Sequence, residues 1–146
     1  MKSNRLSSNE RNDWAVELEK TLLVGGASFS EWATLMSFEA HQCFVSGADI
    51  STIVVCAATV ETFLRTELND FKSRLVDLID HVDIDDALVI RLHALRQDRN
   101  KWLHSSQSML DRDLSCYTEI YNETLENSAK EAYHTMLCLL LSDQFV

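Results

Sequence analysis

Residues 50–68 of the chain read ISTIVVCAATVETFLRTEL. This stretch contains neither proline nor glycine, and its apolar residues recur at the three- and four-residue spacing of one helix face. We therefore predict an amphipathic helix that packs against other helices. The predicted buried face consists of Ile50, Ile53, Val54, Ala57, Leu64 and Leu68.

The whole chain favours helices as well. Its 146 residues include no proline and only three glycines, so it lacks the residues that the tight turns of an all-β protein require. We predict an all-α, up-and-down bundle of four to five main helices plus one short helix. It forms a single domain over residues 1–146, in which about the first ten residues are a flexible tail.

Local signals predict where these helices begin and end. A glycine pair stops the first helix, a serine opens the second and a glycine ends it, and aspartates cap the third and the fifth. The first helix ends at Gly25-Gly26, the second runs from Ser28 or Ser30 to Gly47, and Asp49 caps the third. A short helix at about 70–80 follows. The next helix, at about 85–104, begins with a capping box between Asp83 and Asp86, and the last helix lies at about 112–141.

Charge and cysteine content narrow the classes of protein. Thirteen Lys and Arg against 23 Asp and Glu give a net charge of −10, which disfavours unspecific coating of nucleic acid. Basic residues nevertheless dominate from Arg91 to Lys101, where the one acid is Asp98.

No apolar run approaches the about 20 residues of a membrane span, and no secretory signal opens the chain. We expect a cytoplasmic protein without a membrane partner. Reduced thiols are expected at Cys43, Cys56, Cys116 and Cys138, with disulfides or zinc as the minor alternative.

Two charged residues interrupt the apolar stripes of their helices. Glu61 falls on the stripe of the third helix, and Arg99 falls on that of the helix at about 85–104. Since a carboxylate on a buried face is costly without a cation, we predict that Glu61 and Arg99 face each other. Two alternatives stay open: Glu61 pairs with Arg65 one turn along, or each side chain reaches water at the bundle edge.

Arg99 also begins the segment richest in catalytic side chains. Signatures of ATP cradles, dinucleotide sites, serine hydrolases and zinc proteases are absent, and we expect no metal site and no cofactor. Arg99 can stabilise a phosphoryl group, His104 can transfer a proton and Asn100 can orient either, with Arg96 in support. Because a protein nucleophile is lacking, the 2′-hydroxyl of RNA is the fitting nucleophile. Because one chain contributes a single histidine to this site, we further predict a homodimer that joins two copies of the site.

These segments resemble the HEPN family, the higher eukaryote and prokaryote nucleotide-binding helical bundles. Residues 95–104 match the RNxxxH form of its Arg-x4-6-His signature, and residues 53–64 resemble its other helix, which carries an acid near the signature arginine. The chain departs from the family at Ser105, where glycine is common. It also departs at Ser106, where one branch has a tyrosine modified by partner nucleotidyltransferases, so that modification is not expected.

The resemblance implies a dimeric bundle with a metal-independent endoribonuclease site that leaves a 2′,3′-cyclic phosphate. It implies catalysis by Arg99, His104 and Asn100, with Glu61 holding Arg99. It also implies a role as a toxin or antiviral defence effector, with RNA as substrate and an antitoxin or regulatory protein as partner. The alternatives are a non-catalytic HEPN module that binds a protein, RNA or nucleotide, and a bundle in which Glu61 and Arg99 form a purely structural pair.

Overall fold

A computed structural model describes residues 5–104 and 114–145, with the backbone alone over residues 114–121. In this part the chain forms six α-helices and, besides them, one isolated bridge between Gly26 and Phe145. The prediction of an all-α bundle is confirmed. The helices are α1 (Ser8–Leu22), α2 (Glu31–Ser46), α3 (Asp49–Leu68), α4 (Leu75–His81), α5 (Asp86–Leu103) and α6 (Leu114–Leu140).

Helix α3 is the centre of the bundle. It packs most extensively against α2 and α6, and it also contacts α4 and α5. Ile53, Ala57 and Leu64 are buried as predicted, but Ile50 is exposed and Val60, outside the predicted stripe, is buried. Because neighbours cover α3 from several sides, its buried residues are not confined to one stripe. Full burial of a leucine-sized side chain contributes about 1.5–3 kcal/mol of transfer free energy.

Both predicted ends of α2 are confirmed. The hydroxyl of Ser30 accepts a hydrogen bond from the backbone N–H of Ala33 at 3.1 Å and caps the helix. Gly47 ends the helix with a φ of 83°, and its N–H donates to the carbonyls of Cys43 and Phe44. A residue with a Cβ is strained in this left-handed conformation, whereas glycine is not.

Replacement of Gly47 by alanine is therefore expected to lower the free energy of unfolding by about 1–2 kcal/mol. Urea denaturation followed by circular dichroism measures the change. The control is Ser51→Ala, at an exposed position of α3, which is expected to change stability by less than about 0.5 kcal/mol. Equal stability of the two variants would contradict the role assigned to Gly47.

Three of the predicted helix boundaries are wrong. Helix α1 ends at Leu22 with Leu23 as its C-cap, two residues before the predicted glycine pair. Asp49 is the first residue of α3, and Ala48 precedes it without a side-chain cap. At α5 the cap is Asp85, whose Oδ1 accepts from the N–H of Ala87 at 2.9 Å, rather than a box formed by Asp83 and Asp86. The carboxylate of Asp49 is not available to the helix end because arginine side chains bind it.

Arg11 is the arginine that binds Asp49 most closely, and it is 1% exposed. Its Nη1 lies 2.6 Å from Oδ1 of Asp49 and donates to the carbonyl of Phe44, while its Nη2 lies 2.9 Å from Oε2 of Glu126. Burial lowers the pKa of Arg11, but the hydrogen bond and charge of Asp49, together with Glu126, outweigh it and raise the pKa. With Arg5, these residues form the Arg11 cluster, which joins α1 to α3 and α6.

The segment before α1 is part of the same arrangement. Arg5 donates to Asp49 at 2.7 Å, and the backbone N–H of Leu6 donates to Glu126 at 3.1 Å. Ser7 then opens α1 with a capping box. Part of the segment expected to be a flexible tail is thus hydrogen-bonded or helical, while residues 1–4 lie outside the described residues.

The cysteines that the structure describes are free thiols: Cys43, Cys56 and Cys138. Burial raises the pKa of Cys56, so this thiol stays protonated. The side chain of Cys116 and residues 105–106 lie outside the described part of the chain. Within the described part, the helices are too short or too polar to cross a bilayer.

Candidate functional site

Glu61 lies where α3 and α5 pack together, and its carboxylate contacts two arginines. Oε1 accepts hydrogen bonds from Nη2 and Nε of Arg65 at 2.6 and 3.2 Å. Oε2 lies 3.8 Å from Nη1 of Arg99. The predicted pair across the helices and the alternative pair along α3 therefore coexist. The three side chains are between 24% and 28% exposed, so the group is only partly shielded from water.

Asn100 holds the guanidinium of Arg99 from the other direction. Its Oδ1 accepts hydrogen bonds from Nη2 and Nε of Arg99 at 3.1 and 3.3 Å. Glu61 therefore attracts Arg99 across the helix interface, and Asn100 fixes it along α5. A guanidinium has more N–H donors than these contacts use, so Arg99 can still bind an anion such as a phosphate.

His104 lies at the very end of α5. The helix ends at Leu103, and His104 is its C-cap with extended backbone, although its N–H still donates to the carbonyl of Asn100 at 2.9 Å. The helix predicted to continue to His104 therefore ends one residue earlier. The imidazole is exposed, and within the described part of the chain no hydrogen bond joins it to Arg99 or Asn100. One chain thus brings Arg99 and Asn100 together and leaves His104 one turn further on, in solvent.

Arg96, predicted in support, is half-buried on α5. Its Nε is buried without a hydrogen-bond partner among residues 5–104 and 122–145, and in that part it forms no ion pair with Glu61. His93 lies three residues before Arg96, and its Nε2 is 2.8 Å from Oδ1 of Asp80. His93 therefore ties α5 to α4 rather than extending the site.

The loop between α3 and α4 borders the site, a contact that the sequence did not predict. Arg65 donates to the carbonyl of Phe71, and also to that of Ser73 at 3.3 Å. Hydrogen bonds from the hydroxyl and N–H of Ser73 and from the N–H of Lys72 lower the pKa of Asp70 to about 2. Since this pKa is depressed, the stabilisation by Asp70 is present above its ordinary pKa of 3.8 and is lost as the pH falls through about 2.

The same loop carries an exposed aromatic side chain, that of Phe71. The side chain of Phe71 is exposed although its carbonyl is held by Arg65. The signal in the sequence was Arg65, which follows Glu61 by one helical turn, but nothing nearby indicated that Arg65 also binds the loop. The site therefore consists of Glu61, Arg65, Arg99 and Asn100, with Phe71 at its edge.

A nearby cavity is separate from this site. It has a volume of about 190 Å³, lies between α5 and α6, and is lined by Arg91, Asp98 and Glu131 among others. None of the predicted site residues lines it. Two arginines of α5 therefore lie on different faces of the helix: Arg91 lines the cavity, and Arg99 faces α3.

Replacement of Glu61 by glutamine tests whether its pair with Arg99 is chiefly structural. Because the group is partly exposed, the free energy of unfolding is expected to fall by only about 0.5–1 kcal/mol. Chemical denaturation measures the change, with Glu67→Gln at an exposed position of α3 as the matched control. A loss above about 3 kcal/mol, the range for buried ion pairs, would instead support the purely structural alternative.

Among the residues that the structure describes, no three His, Cys, Asp or Glu side chains are grouped so that they could hold a metal ion. No protein-family model matches the chain, and no curated protein and no solved structure is significantly similar to it.

Proposed function

We propose that the chain is an endoribonuclease of the HEPN type that acts as a homodimer and needs no metal. The observation that carries the proposal is the contact of Glu61 with Arg99 between α3 and α5, with Asn100 holding the same guanidinium. The two sequence segments that resemble the family thus meet in space through the residues expected to meet. A purely structural pair predicts no cleavage of RNA, so an assay of RNA cleavage distinguishes it from a nuclease site.

The proposed reaction is an internal transfer at a phosphodiester of RNA. One His104 removes the proton of the 2′-hydroxyl, and O2′ attacks the phosphorus. The bond between phosphorus and O5′ breaks, and a second His104, protonated, donates its proton to O5′. Arg99 stabilises the charge on the non-bridging oxygens, and Asn100 keeps Arg99 in place. The products are a 2′,3′-cyclic phosphate and a 5′-hydroxyl.

A homodimer follows from this chemistry. The reaction needs a base and an acid, and in the described part of the chain no histidine side chain is hydrogen-bonded to Arg99 or Asn100. A two-fold axis near the end of α5 would bring together two exposed copies of His104. The site would therefore be complete only in the dimer.

RNA binding is supported by what surrounds Arg99. Arg96, three residues before Arg99 on α5, and Arg65, which shares Glu61 with Arg99, add positive charge in a chain whose net charge is −10. Phe71 offers an exposed ring on which an unpaired base can stack. We propose single-stranded RNA as the substrate class. As for other nucleases of this type, the role would be that of a toxin or defence effector restrained by an antitoxin or regulatory protein.

The second candidate function is a non-catalytic module that binds a protein, RNA or nucleotide. One observation favours it: the guanidinium of Arg99 is already engaged by Glu61 and Asn100, while the imidazole of His104 does not contact them in the described residues. A module of this kind would bind its ligand through the same residues and leave RNA intact.

Incubation of the purified protein with single-stranded RNA in EDTA tests the proposal. We expect cleavage by the wild type and its loss in Arg99→Ala and in His104→Ala. The matched control is His81→Ala, an exposed histidine at the end of α4, which should leave cleavage unchanged. Binding without cleavage would favour the non-catalytic module, and cleavage that persists in both site variants would exclude the proposed site.

A further inference from the structure

Helix α2 carries an exposed apolar face that the rest of the described chain does not cover. Trp32 is 60% exposed, Leu35 is 47% exposed and Phe38 is 63% exposed. Successive members are three residues apart, so by the 3.6-residue repeat they occupy an arc of about 120°. Three large apolar side chains in a row on one helix are the usual mark of a contact surface, unlike single exposed residues.

This face points away from the interior of the bundle. The buried residues of α2 are Ala33, Ala40 and Phe44, which lie on the opposite side of the helix. Within the described residues α2 packs against α1, α3 and α6, and not against α4 or α5. The face is therefore distinct from the site around Arg99, which belongs to α3 and α5.

The charges on α2 indicate the kind of partner. Glu31 and Glu39 are exposed on the same outward arc, and the helix contains no lysine or arginine. A second copy of this chain would set two such acidic faces, each without a lysine or arginine of α2, against each other. A partner with apolar anchors and positive charge complements both properties.

We propose that this face of α2, formed by Trp32, Leu35 and Phe38 with Glu31 and Glu39, docks a basic amphipathic helix of another protein. Apolar side chains at helical spacing would pack on the two aromatic rings and Leu35, and lysines or arginines would meet the two glutamates. This surface is independent of the proposed nuclease activity.

A pair of synthetic helical peptides tests the inference by fluorescence anisotropy. Both carry leucines along one face, and the remaining positions hold lysines in one peptide and glutamates in the other. We expect the wild type to bind the lysine peptide at least about tenfold more tightly than the glutamate peptide. The double variant Trp32→Ser/Phe38→Ser should weaken binding about tenfold or more.

Two further variants make the test specific. Glu31→Lys/Glu39→Lys, which removes no apolar residue, should invert the preference between the peptides. Ile90→Ser, at a residue that is 70% exposed on α5, should leave both affinities unchanged. Absence of binding, equal binding of both peptides, or affinities that the α2 variants do not alter would overturn the proposal. A dimer in sedimentation velocity that Trp32→Ser/Phe38→Ser converts to monomer would assign the face to a second copy and also overturn it.

Discussion

Replacement of Arg11 by methionine is expected to lower the free energy of unfolding by about 3–5 kcal/mol. Methionine retains the apolar stem of the side chain but removes the charge that Asp49 and Glu126 share. Both carboxylates are nearly fully buried, and a buried charge without its partner is strongly unfavourable. The carbonyl of Phe44 also loses its hydrogen bond from Nη1. Chemical denaturation at neutral pH measures the change.

A matched variant separates the Arg11 cluster from an ordinary surface ion pair. Lys20 pairs with Glu17 on α1, and both side chains are largely exposed, so Lys20→Met is expected to change stability by less than about 1 kcal/mol. The double variant Arg11→Met/Asp49→Asn should lose less free energy of unfolding than the two single variants lose in sum, because each single change breaks the same ion pair. A loss below about 1 kcal/mol for Arg11→Met would show that Arg11 does not hold α1 in place.

The largest catalytic effects are expected at His104 and Arg99. Removal of a general acid or base costs about 10²–10⁴-fold in rate, and His104 would serve as both in the dimer. Removal of a group that stabilises transition-state charge costs about 10²–10³-fold, which is the expectation for Arg99→Ala. Arg99→Lys should recover only part of this loss, because an ammonium cannot reproduce the planar fork held by Glu61 and Asn100. Single-turnover cleavage of a labelled RNA measures these rates.

Stability measurements must accompany these rates. His104 is exposed at the end of α5, so His104→Ala is expected to leave the free energy of unfolding within about 0.5 kcal/mol of the wild type. A variant that loses activity while remaining fully folded has lost chemistry rather than structure. If His104→Ala cleaves RNA at the wild-type rate, the proposed proton transfers are wrong whatever the effect of Arg99→Ala.

Short-range patterns in the sequence predicted most of the fold. The absence of proline, the caps at Ser30 and Gly47 and the apolar periodicities predicted helices whose bounds agree with the structure within a few residues. The short helix is the exception, since it begins at Leu75 rather than near Asp70. There the side chain of Asp70 accepts hydrogen bonds from the loop and does not cap a helix.

Contacts between distant residues were beyond what periodicity can predict. Asp49 resembles a helix cap by its position, and only the three-dimensional arrangement reveals that Arg11 and Arg5 bind it. Glu126 joins them from near the other end of the chain, and no local pattern connects it to Arg11. The stripe of α3 was misplaced at Ile50 for a related reason, because the number of neighbours around a central helix is not encoded in its own sequence.

The sequence predicted the contact between Glu61 and Arg99 but not the conformation of the residues around it. A charge of opposite sign in each of two apolar stripes was sufficient to predict that Glu61 meets Arg99. The extended backbone at His104 could not be predicted, because no glycine or proline marks the end of α5. The exposed ring of Phe71 was missed because loop conformation depends on contacts such as the one from Arg65.

The end groups of the RNA fragments that the wild-type protein produces in EDTA reveal whether the RNA supplies its own nucleophile. If the 2′-hydroxyl is the nucleophile, mass spectrometry will find a 2′,3′-cyclic phosphate on one fragment and a 5′-hydroxyl on the other. An RNA with a single 2′-deoxy residue at the cleaved position will remain intact. Fragments with 5′-phosphate ends, or cleavage of the deoxy-substituted RNA at that position, would contradict the account.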